Sequence, residues 1–332
     1  MTAALFDVWL GMGSLAGGAQ IATTMLGFVV VLITIERFSR RQQKAYQHSG
    51  SRFRDLPTYK LQGLSRILAI AACLLPVLIG FIIPLVILLR LAVIYFDLSW
   101  TSEFRTYALN SLLLSAVAAV AALLVALLIA YGQRLRGGRV LGIATRIASL
   151  GYAVPGAVLG VGVLIPFAYF DNTLDAMMRQ FFGISTGLLL SGTLVAVIFA
   201  YVVRFLAVAL GQVESSLAKV SPSLDMASRT LGYHAGETLF RYHVPLIRGG
   251  ILTAIMIVFV DCMKELPATL ILRPFNFETL ATHVYWFASD EMLGEAALGS
   301  LTIVLVGLIP VAFLGKLTAR RPSVQAAASK GK

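Results

Sequence analysis

The chain has 332 residues, of which 58% are hydrophobic and only 13% are charged, and its net charge is +11. A soluble domain carries about a quarter charged residues, so this composition excludes an ordinary soluble protein and predicts a membrane protein. The basic charge does not require nucleic acid as a partner, because Lys and Arg gather in the cytoplasmic loops of multi-pass proteins.

The chain contains successive apolar segments, each near or above the roughly 20 residues that cross a lipid bilayer as a helix. They do not alternate apolar and polar residues, which excludes membrane-spanning strands. The predicted fold class is therefore an all-α polytopic membrane protein with about seven transmembrane helices. These segments are 14–35, 67–94, 107–131, 145–169, 187–211, 249–272 and 296–316.

The charges between the segments predict their orientation. Residues 36–66 carry eight Lys or Arg against two acidic residues, whereas the next connection contributes Asp97 and Glu103. Basic loops stay in the cytoplasm, so alternation along the chain places the amino terminus outside and the basic carboxyl-terminal tail in the cytoplasm.

The first apolar segment resembles the last one. At an offset of 277 residues, Trp9 aligns with Trp286, Gly17 with Gly294 and Ala19 with Ala296. Repeated halves are common in transporters, so we interpret the first segment as the last helix of an upstream homologous half. The predicted organisation is a transmembrane helix in 1–40, a basic cytoplasmic linker in 41–66, a six-helix domain in 67–318 and a cytoplasmic tail in 319–332.

The segment 145–169 is rich in glycine and proline. Small residues at these spacings allow close helix contact, and the same residues also suit a gating hinge. They are Gly151, Pro155, Gly156, Gly160, Gly162 and Pro166. Arg204, in the following segment, is expected to pair with Asp261 or Glu265 or to extend towards an interface.

A long polar stretch, about 214–248, interrupts the apolar pattern. Ser221 suits an N-cap, Pro222 the first helical position and Asp225 the first turn. An apolar stripe of Leu217, Val220, Leu224, Ala227 and Leu231 ends before Gly232, which suits a left-handed helix terminus. A second short helix, about Ala235–His243, is expected to end before Pro245. His234 and His243 are nine residues apart and are predicted to be surface residues.

The segment 249–272 holds charged residues within the membrane. The spacing of Asp261, Lys264 and Glu265 predicts one shared helix face, and Pro267 is expected to break the helix. One interpretation is an Asp261–Lys264 ion pair that fixes packing. The other is a translocation path lined by the two carboxylates, which suit a hard cation such as ferric ion. Both interpretations stay open, and no set of metal ligands is assigned. In the second interpretation, the residues of the possible translocation path are Arg204, Asp261, Lys264, Glu265 and Pro267.

The polar stretch resembles the conserved cytoplasmic loop of binding-protein-dependent ABC importer permeases. That loop reads Glu-Ala-Ala, three residues, Gly, nine residues, Ile, one residue, Leu-Pro. Ala227, Gly232 and Pro245 keep its register, while Met226, Ser228, Tyr242 and Val244 replace the family's Glu, Ala, Ile and Leu. The resemblance implies a type I permease core preceded by one extra helix, with an ATPase-coupling loop of Ser221, Pro222, Leu224, Asp225, Met226, Ala227, Ser228, Arg229, Leu231, Gly232 and Pro245.

The stretch Met263–Ala281 resembles ferric-iron importer permeases, which fuse two permease halves in one chain. This resemblance implies a multi-pass protein of the bacterial inner membrane and implies that the chain corresponds to the carboxyl-terminal half of such a permease. The implied partners are an ABC ATPase subunit that holds Mg-ATP, an extracytoplasmic iron-binding protein, and a second permease half or a second copy of the chain. The binding protein is expected to dock around 97–106, 170–186 and 273–295.

Two other functions stay open, and an enzyme is disfavoured. The chain has no Gly-Lys-Ser/Thr phosphate loop, so ATP is expected on a separate subunit and no cofactor on this chain. No paired catalytic residues appear, which argues against an enzyme. The alternatives are an ABC permease for thiamine, polyamine, sulfate or phosphonate, and an ion-coupled secondary transporter that uses Asp261 and Glu265 as ion sites.

Overall fold

The computed structural model describes residues 4, 8, 11–40 and 61–319, and in these ranges the regular structure is entirely helical. The basic linker residues 41–60, the tail 320–332, His48 and Trp9 lie outside the described residues. The helices are α1 Leu15–Arg40, α2 Leu64–Ile94, α3 Phe96–Ser99, α4 Ser102–Arg136, α5 Arg139–Ala148, α6 Gly156–Phe182, α7 Leu194–Leu217, α8 Pro222–Thr230, α9 Ala235–Leu246, α10 Arg248–Met263, α11 Pro267–Leu272, α12 Leu280–Ser289 and α13 Leu293–Ala319.

Within the described residues, five helices are long and apolar enough to span a membrane: α2, α4, α6, α7 and α13. The helices α9 and α10 are bent by 80° relative to each other, and the pair adds a sixth span if both helices are counted as one. The predicted all-α polytopic fold is confirmed, with five or six such spans rather than seven. In α1, the apolar part is the shorter Ala16–Leu32.

The centre of the bundle is built from small residues. Helices α4, α7 and α10 pack against one another, and their contact surfaces carry alanines such as Ala122, Ala200 and Ala254 with no exposed surface. Apolar side chains gain little by leaving lipid for protein, so close van der Waals contact between small residues is what holds such helices together. Helix α1 packs against α6, and its Ala22 joins the same core.

Two predicted boundaries are wrong because proline and glycine divide the chain differently. The predicted span 145–169 is split into α5, a break at 149–155 that contains one 3-10 turn at Gly151–Ala153, and the start of α6, where Pro155 is the N-cap. The predicted span 187–211 begins only at Leu194, after left-handed glycines at Gly187 and Gly192.

The predicted outer loop 170–186 is instead largely helical. Asp171 and Asp175 lie in α6 and accept hydrogen bonds from the segment that follows it. The buried Asp171 accepts from the Ser191 backbone N–H at 2.7 Å and from the Ser191 hydroxyl at 2.6 Å. Asp175 accepts from the Thr186 backbone N–H at 2.8 Å. These carboxylates hold the irregular segment between α6 and α7 against the end of α6.

Close contact with neighbouring atoms explains three of the four glycines in the predicted 145–169 segment. A Cβ atom on Gly151 would lie 2.0 Å from the carbonyl oxygen of Val203 in α7. A Cβ atom on Gly160 would lie 2.9 Å from the side chain of Ile271 in α11, whereas a Cβ atom on Gly162 would meet nothing within 4 Å. Packing therefore accounts for Gly151 and Gly160, and Gly156 belongs to the charged cluster described below.

We expect Gly151→Ala to lower the Tm of the purified protein, because the added methyl group overlaps the backbone of α7 and overpacking costs about 1–3 kcal/mol. The matched control is Gly162→Ala, which we expect to leave the Tm unchanged or raise it, since alanine favours a helix by about 1 kcal/mol. Equal changes in Tm for the two variants would contradict the close contact at Gly151.

Candidate functional site

The first part of the site is an elbow, which we define as residues 221–246 and which contains α8 and α9. The Ser221 hydroxyl accepts a hydrogen bond from the Ser223 backbone N–H at 3.3 Å, and Pro222 is the first helical residue, as predicted. Gly232 turns the chain between the two helices with a φ of 82°. Side chains other than glycine rarely adopt this left-handed conformation, so the sharp turn depends on Gly232.

Asp225 joins the two helices of the elbow through a buried histidine. Its Oδ1 lies 2.9 Å from Nε2 of His243, and neither atom has a further hydrogen-bond partner among the described residues. The His243 side chain is completely buried, and its Nδ1 lies 3.1 Å from the carbonyl oxygen of Thr238. The prediction that His243 is a surface residue is wrong, because the turn at Gly232 packs α9 over α8. His234 is exposed, as predicted.

Arg134, at the end of α4, fastens the elbow to the bundle. Its Nε lies 2.8 Å from Oδ2 of Asp225. Its two Nη atoms donate to backbone carbonyl oxygens just before the elbow, at 2.6 Å to Leu217 and 2.8 Å to Val220. The Tyr131 hydroxyl, one turn earlier, donates to the carbonyl oxygen of Ala235 at 2.8 Å. The sequence does not indicate this role for Arg134, because no local pattern pairs residues that lie at least 83 positions apart.

The elbow presents apolar side chains to its outer surface. Met226 is 62% exposed and Leu231 is 73% exposed. The predicted apolar stripe is therefore buried at Leu217 and exposed at Leu231, where the helix leaves the bundle. Among the predicted coupling-loop residues, Ser228 is buried, Leu224 and Asp225 are half-buried, and the exposed ones are Ser221, Pro222, Met226, Ala227, Arg229, Leu231, Gly232 and Pro245.

The prediction that α9 ends before Pro245 is wrong, because the helix continues to Leu246. A π-helical turn at Leu239–His243 makes this possible, since it places Pro245 near the start of a new helical segment, where its missing N–H is harmless. The chain bends by 80° after Leu246 and continues as α10. Beside this bend, an open groove of about 1110 Å³ lies between α7, α8 and the start of α10.

The second part of the site is a charged cluster, which we define as Arg204, Asp261, Lys264 and Glu265. Helix α10 ends at Met263 and α11 begins at Pro267, which confirms the predicted break at Pro267. The break also interrupts the predicted shared face: the Lys264 side chain is 62% exposed, whereas that of Glu265 is 6% exposed.

The members of the charged cluster form two ion pairs. Nζ of Lys264 lies 2.9 Å from Oδ1 of Asp261. Nε of Arg204 lies 3.2 Å from Oε2 of Glu265, so the arginine pairs across helices rather than extending to an interface. Oε1 of Glu265 also accepts a hydrogen bond from the Ala268 backbone N–H at 3.2 Å, which caps the start of α11.

The charged cluster joins two helix breaks at one level of the bundle. Arg204 donates from Nη1 to the carbonyl oxygen of Val154, in the break before α6, at 3.3 Å. A Cβ atom on Gly156 would lie 2.5 Å from both Nη1 of Arg204 and Oε1 of Glu265. The absence of a side chain at Gly156 therefore allows the ion pair to pack against the start of α6. Tyr201 adds a hydrogen bond to the Thr269 hydroxyl of α11.

Both breaks lie far from the elbow. Lys264 is 16 residues along the chain from Arg248, the first residue of α10, and Arg204 precedes Leu217 at the end of α7 by 13 residues. At the helical rise these separations are about 20–24 Å. The hydrocarbon core of a membrane is about 30 Å thick. If the elbow lies at the edge of this core, the charged cluster therefore lies inside it.

The structure does not assemble a metal site from these carboxylates. No group of three or more His, Cys, Asp or Glu side chains suited to a metal ion occurs in the described residues. Asp261 and Glu265 are each engaged by a cation of the protein itself. The two cysteines, Cys73 and Cys262, are unpaired and are not in disulfides.

Comparison with known proteins relates the chain to transport permeases, although no family model matches it. It is 28% identical over 216 residues to the Fe(3+)-transport system permease protein FbpB 2 of Haemophilus influenzae, covering 65% of this chain. It is 22% identical over 206 residues to a spermidine/putrescine permease PotC homologue of Mycoplasma genitalium, covering 61% of this chain and 66% of the relative. A putative 2-aminoethylphosphonate permease PhnV of Salmonella typhimurium is 25% identical over 156 residues, which is 47% of this chain and 52% of that relative.

The fold is that of solved ABC transporters. A chain of the bacterial alginate ABC transporter, crystallised with an alginate pentasaccharide-bound periplasmic protein, matches with a TM-score of 0.60 at 15% identity, covering 78% of this chain and 96% of that one. The predicted resemblance to ABC permeases, including ferric transport permeases, is therefore confirmed. The chain spans 39% of the length of the FbpB 2 relative.

We expect Arg134→Met to loosen the elbow, because it removes the partner of Asp225 and the donor to the end of α7. Loss of one partner of a largely buried pair costs about 3–5 kcal/mol. Backbone amides of residues 221–234 should exchange with deuterium at least tenfold faster. Arg134→Lys should give an intermediate rate, since it keeps the charge without the fork of donors.

The matched control is Arg229→Met, which removes an exposed arginine of α8. We expect it to leave amide exchange in the elbow within a factor of two of the unmodified protein, since exposed surface changes usually alter stability by less than about 0.5 kcal/mol. Equal exchange rates in Arg134→Met and in the unmodified protein would show that Arg134 does not hold the elbow.

Proposed function

We propose that the chain is the permease subunit of an ATP-driven importer for ferric iron, with ATP hydrolysed by a separate ABC ATPase. The observation that carries this proposal is the elbow: an exposed apolar surface on two helices that are locked to each other and to the bundle. A single-chain secondary transporter has no need for such an outward-facing surface, whereas a subunit driven from outside needs a rigid contact.

The coupling role is assigned to the outer surface of the elbow. Met226 and Leu231 are exposed apolar side chains close to the sharp turn at Gly232. Burial of apolar side chains is the main source of affinity at the centre of a protein interface. Met226 replaces the family's glutamate, so the contact proposed here is apolar where the family pattern is charged.

Force applied to the elbow has two routes into the bundle. One runs through the Arg134–Asp225 pair to the end of α4. The other runs through the 80° bend between α9 and α10 and then along α10 to the charged cluster. In this mechanism, a shift of the elbow displaces Met263 and the break that follows it, and so opens the path alternately to either side of the membrane.

The proposed orientation places the elbow in the cytoplasm. Arg134 binds the elbow at one end of α4, whereas the acidic Glu103 lies at the opposite end. Basic residues favour the cytoplasmic side of a membrane. The amino terminus is then outside, the carboxyl-terminal tail is inside, and an extracytoplasmic binding protein meets the opposite end of the bundle, around α3 and the connections beside α12.

Iron is the proposed cargo because the FbpB 2 relative is named for Fe(3+) transport and covers 65% of this chain. The polyamine and phosphonate relatives define the competing cargoes. The chain spans 39% of the FbpB 2 relative, which supports the proposal that the transport path is completed by a second permease half or by a second copy of this chain.

We expect Leu231→Asp to reduce both co-purification of the ATPase and ⁵⁵Fe uptake at least tenfold, because a buried apolar contact at an interface centre contributes about 2 kcal/mol or more. Gly232→Pro should have the same effect while the protein still inserts, since proline requires a φ near −65° and the observed value is 82°. Uptake would be measured in cells that contain the complete transporter.

Leu98→Asp is the matched control for ATPase binding. Leu98 is also exposed, but it lies in α3 at the opposite end of α4. We expect this variant to retain the co-purified ATPase. If Leu231→Asp and Gly232→Pro kept normal ATPase binding and iron uptake, the elbow would have no part in coupling.

A further inference from the structure

The charged cluster exposes a cation and buries its carboxylates. The Lys264 side chain is 62% exposed and its partner Asp261 is 12% exposed, while Glu265 is 6% exposed beside Arg204. Tyr152 is 51% exposed and lies in the break at 149–155, which the charged cluster contacts through the Arg204–Val154 hydrogen bond. The accessible polar groups at this level are therefore an ammonium and a phenol hydroxyl.

This exposed surface does not suit contact with lipid. Charged side chains inside a membrane rarely face the hydrocarbon and normally face a cavity or the interior of a bundle. Non-helical backbone is tolerated at such depth only when it is buried in protein or lines a water-filled space. Lys264 is the C-cap of α10 at one helix break, and Tyr152 lies in a single 3-10 turn within the other. We therefore assign the exposed sides of both residues to an aqueous path.

The donor set at this surface suits an anion. The ammonium of Lys264 has three hydrogen-bond donors and the phenol of Tyr152 has one, whereas the carboxylates that attract a bare cation are turned inward. A bare trivalent ion would be repelled by the exposed ammonium. Ferric ion is a hard cation that prefers oxygen ligands, and its complexes with an excess of citrate or pyrophosphate carry negative charge.

We infer that the path receives iron as an anionic oxygen-ligand complex, which Lys264 binds through its negative groups and Tyr152 assists as a second donor. This inference rests on the proposed function and narrows its substrate class. In this role the Asp261 carboxylate orients the ammonium, and the Arg204–Glu265 pair holds the break that presents it.

The test measures ⁵⁵Fe uptake by cells that contain the complete transporter, with iron supplied as ferric citrate or as ferric pyrophosphate. We expect Lys264→Arg to keep at least half of the uptake, Lys264→Gln to lose about tenfold, as is typical for removal of a charged hydrogen-bond donor, and Lys264→Glu to lose more. Loss with one iron source alone would identify the class of ligand.

The double variant Asp261→Asn/Lys264→Gln separates binding from packing, because it leaves no unpaired charge. We expect the same tenfold loss as in Lys264→Gln, together with normal ATPase co-purification. Recovery of uptake in the double variant would show that Lys264 only neutralises Asp261. Uptake by Lys264→Glu equal to or above that of the unmodified transporter would likewise overturn the inference, while leaving the iron importer proposal intact.

A second readout does not depend on transport. In the purified complete transporter, ferric citrate or ferric pyrophosphate should slow acetylation of Lys264, measured by mass spectrometry, at least threefold, while the exposed Lys219 near the elbow reacts at an unchanged rate. If the ferric complex slowed acetylation of Lys264 but the transporter imported no iron, the proposed function would be refuted, whereas the anion site at Lys264 would still be supported. Unchanged acetylation of Lys264 would overturn the inference.

Discussion

Backbone groups inside a bilayer have no water to bind, so every interruption of a helix there must be satisfied by the protein. This constraint explains the centre of the structure. The break before α6 is held by the Arg204 guanidinium on the Val154 carbonyl oxygen, and the break after α10 is held by Glu265 on the Ala268 backbone N–H. Because Arg204 and Glu265 also pair with each other, neither break can shift without disturbing the second.

The elbow and the charged cluster are two ends of one mechanical unit. Helix α10 begins at the 80° bend beside the elbow and ends at Met263, where the cluster starts. Within the elbow, the Asp225–His243 contact joins α8 to α9, and the Arg134–Asp225 ion pair joins the elbow to the end of α4. In the proposed mechanism, this arrangement of an elbow at one end and a polar, broken segment at the other would convert docking of the ATPase into movement within the membrane.

The direction in which the charges face decides which cargo the proposed translocation path can carry. A carboxylate-lined surface would favour a bare metal ion, but the carboxylates of the charged cluster are occupied by Lys264 and Arg204. Exposure of the ammonium instead favours negatively charged cargo. This distinction depends on which member of each ion pair is buried, and therefore on the orientation of the break between α10 and α11 rather than on the composition of the segment.

The sequence by itself determined the membrane class, the helical fold, the cap at Ser221 and the turn at Gly232, because hydrophobic length and local backbone chemistry act within a few residues. It also indicated the break at Pro267, but not the one before Gly156, which falls inside a predicted span. Only the tertiary structure decided that His243 is buried against Asp225, that Arg134 fastens the elbow, and that Lys264 is exposed while Glu265 is not. These outcomes depend on contacts between residues far apart in the chain, and spacing along one helix carries no information about such contacts.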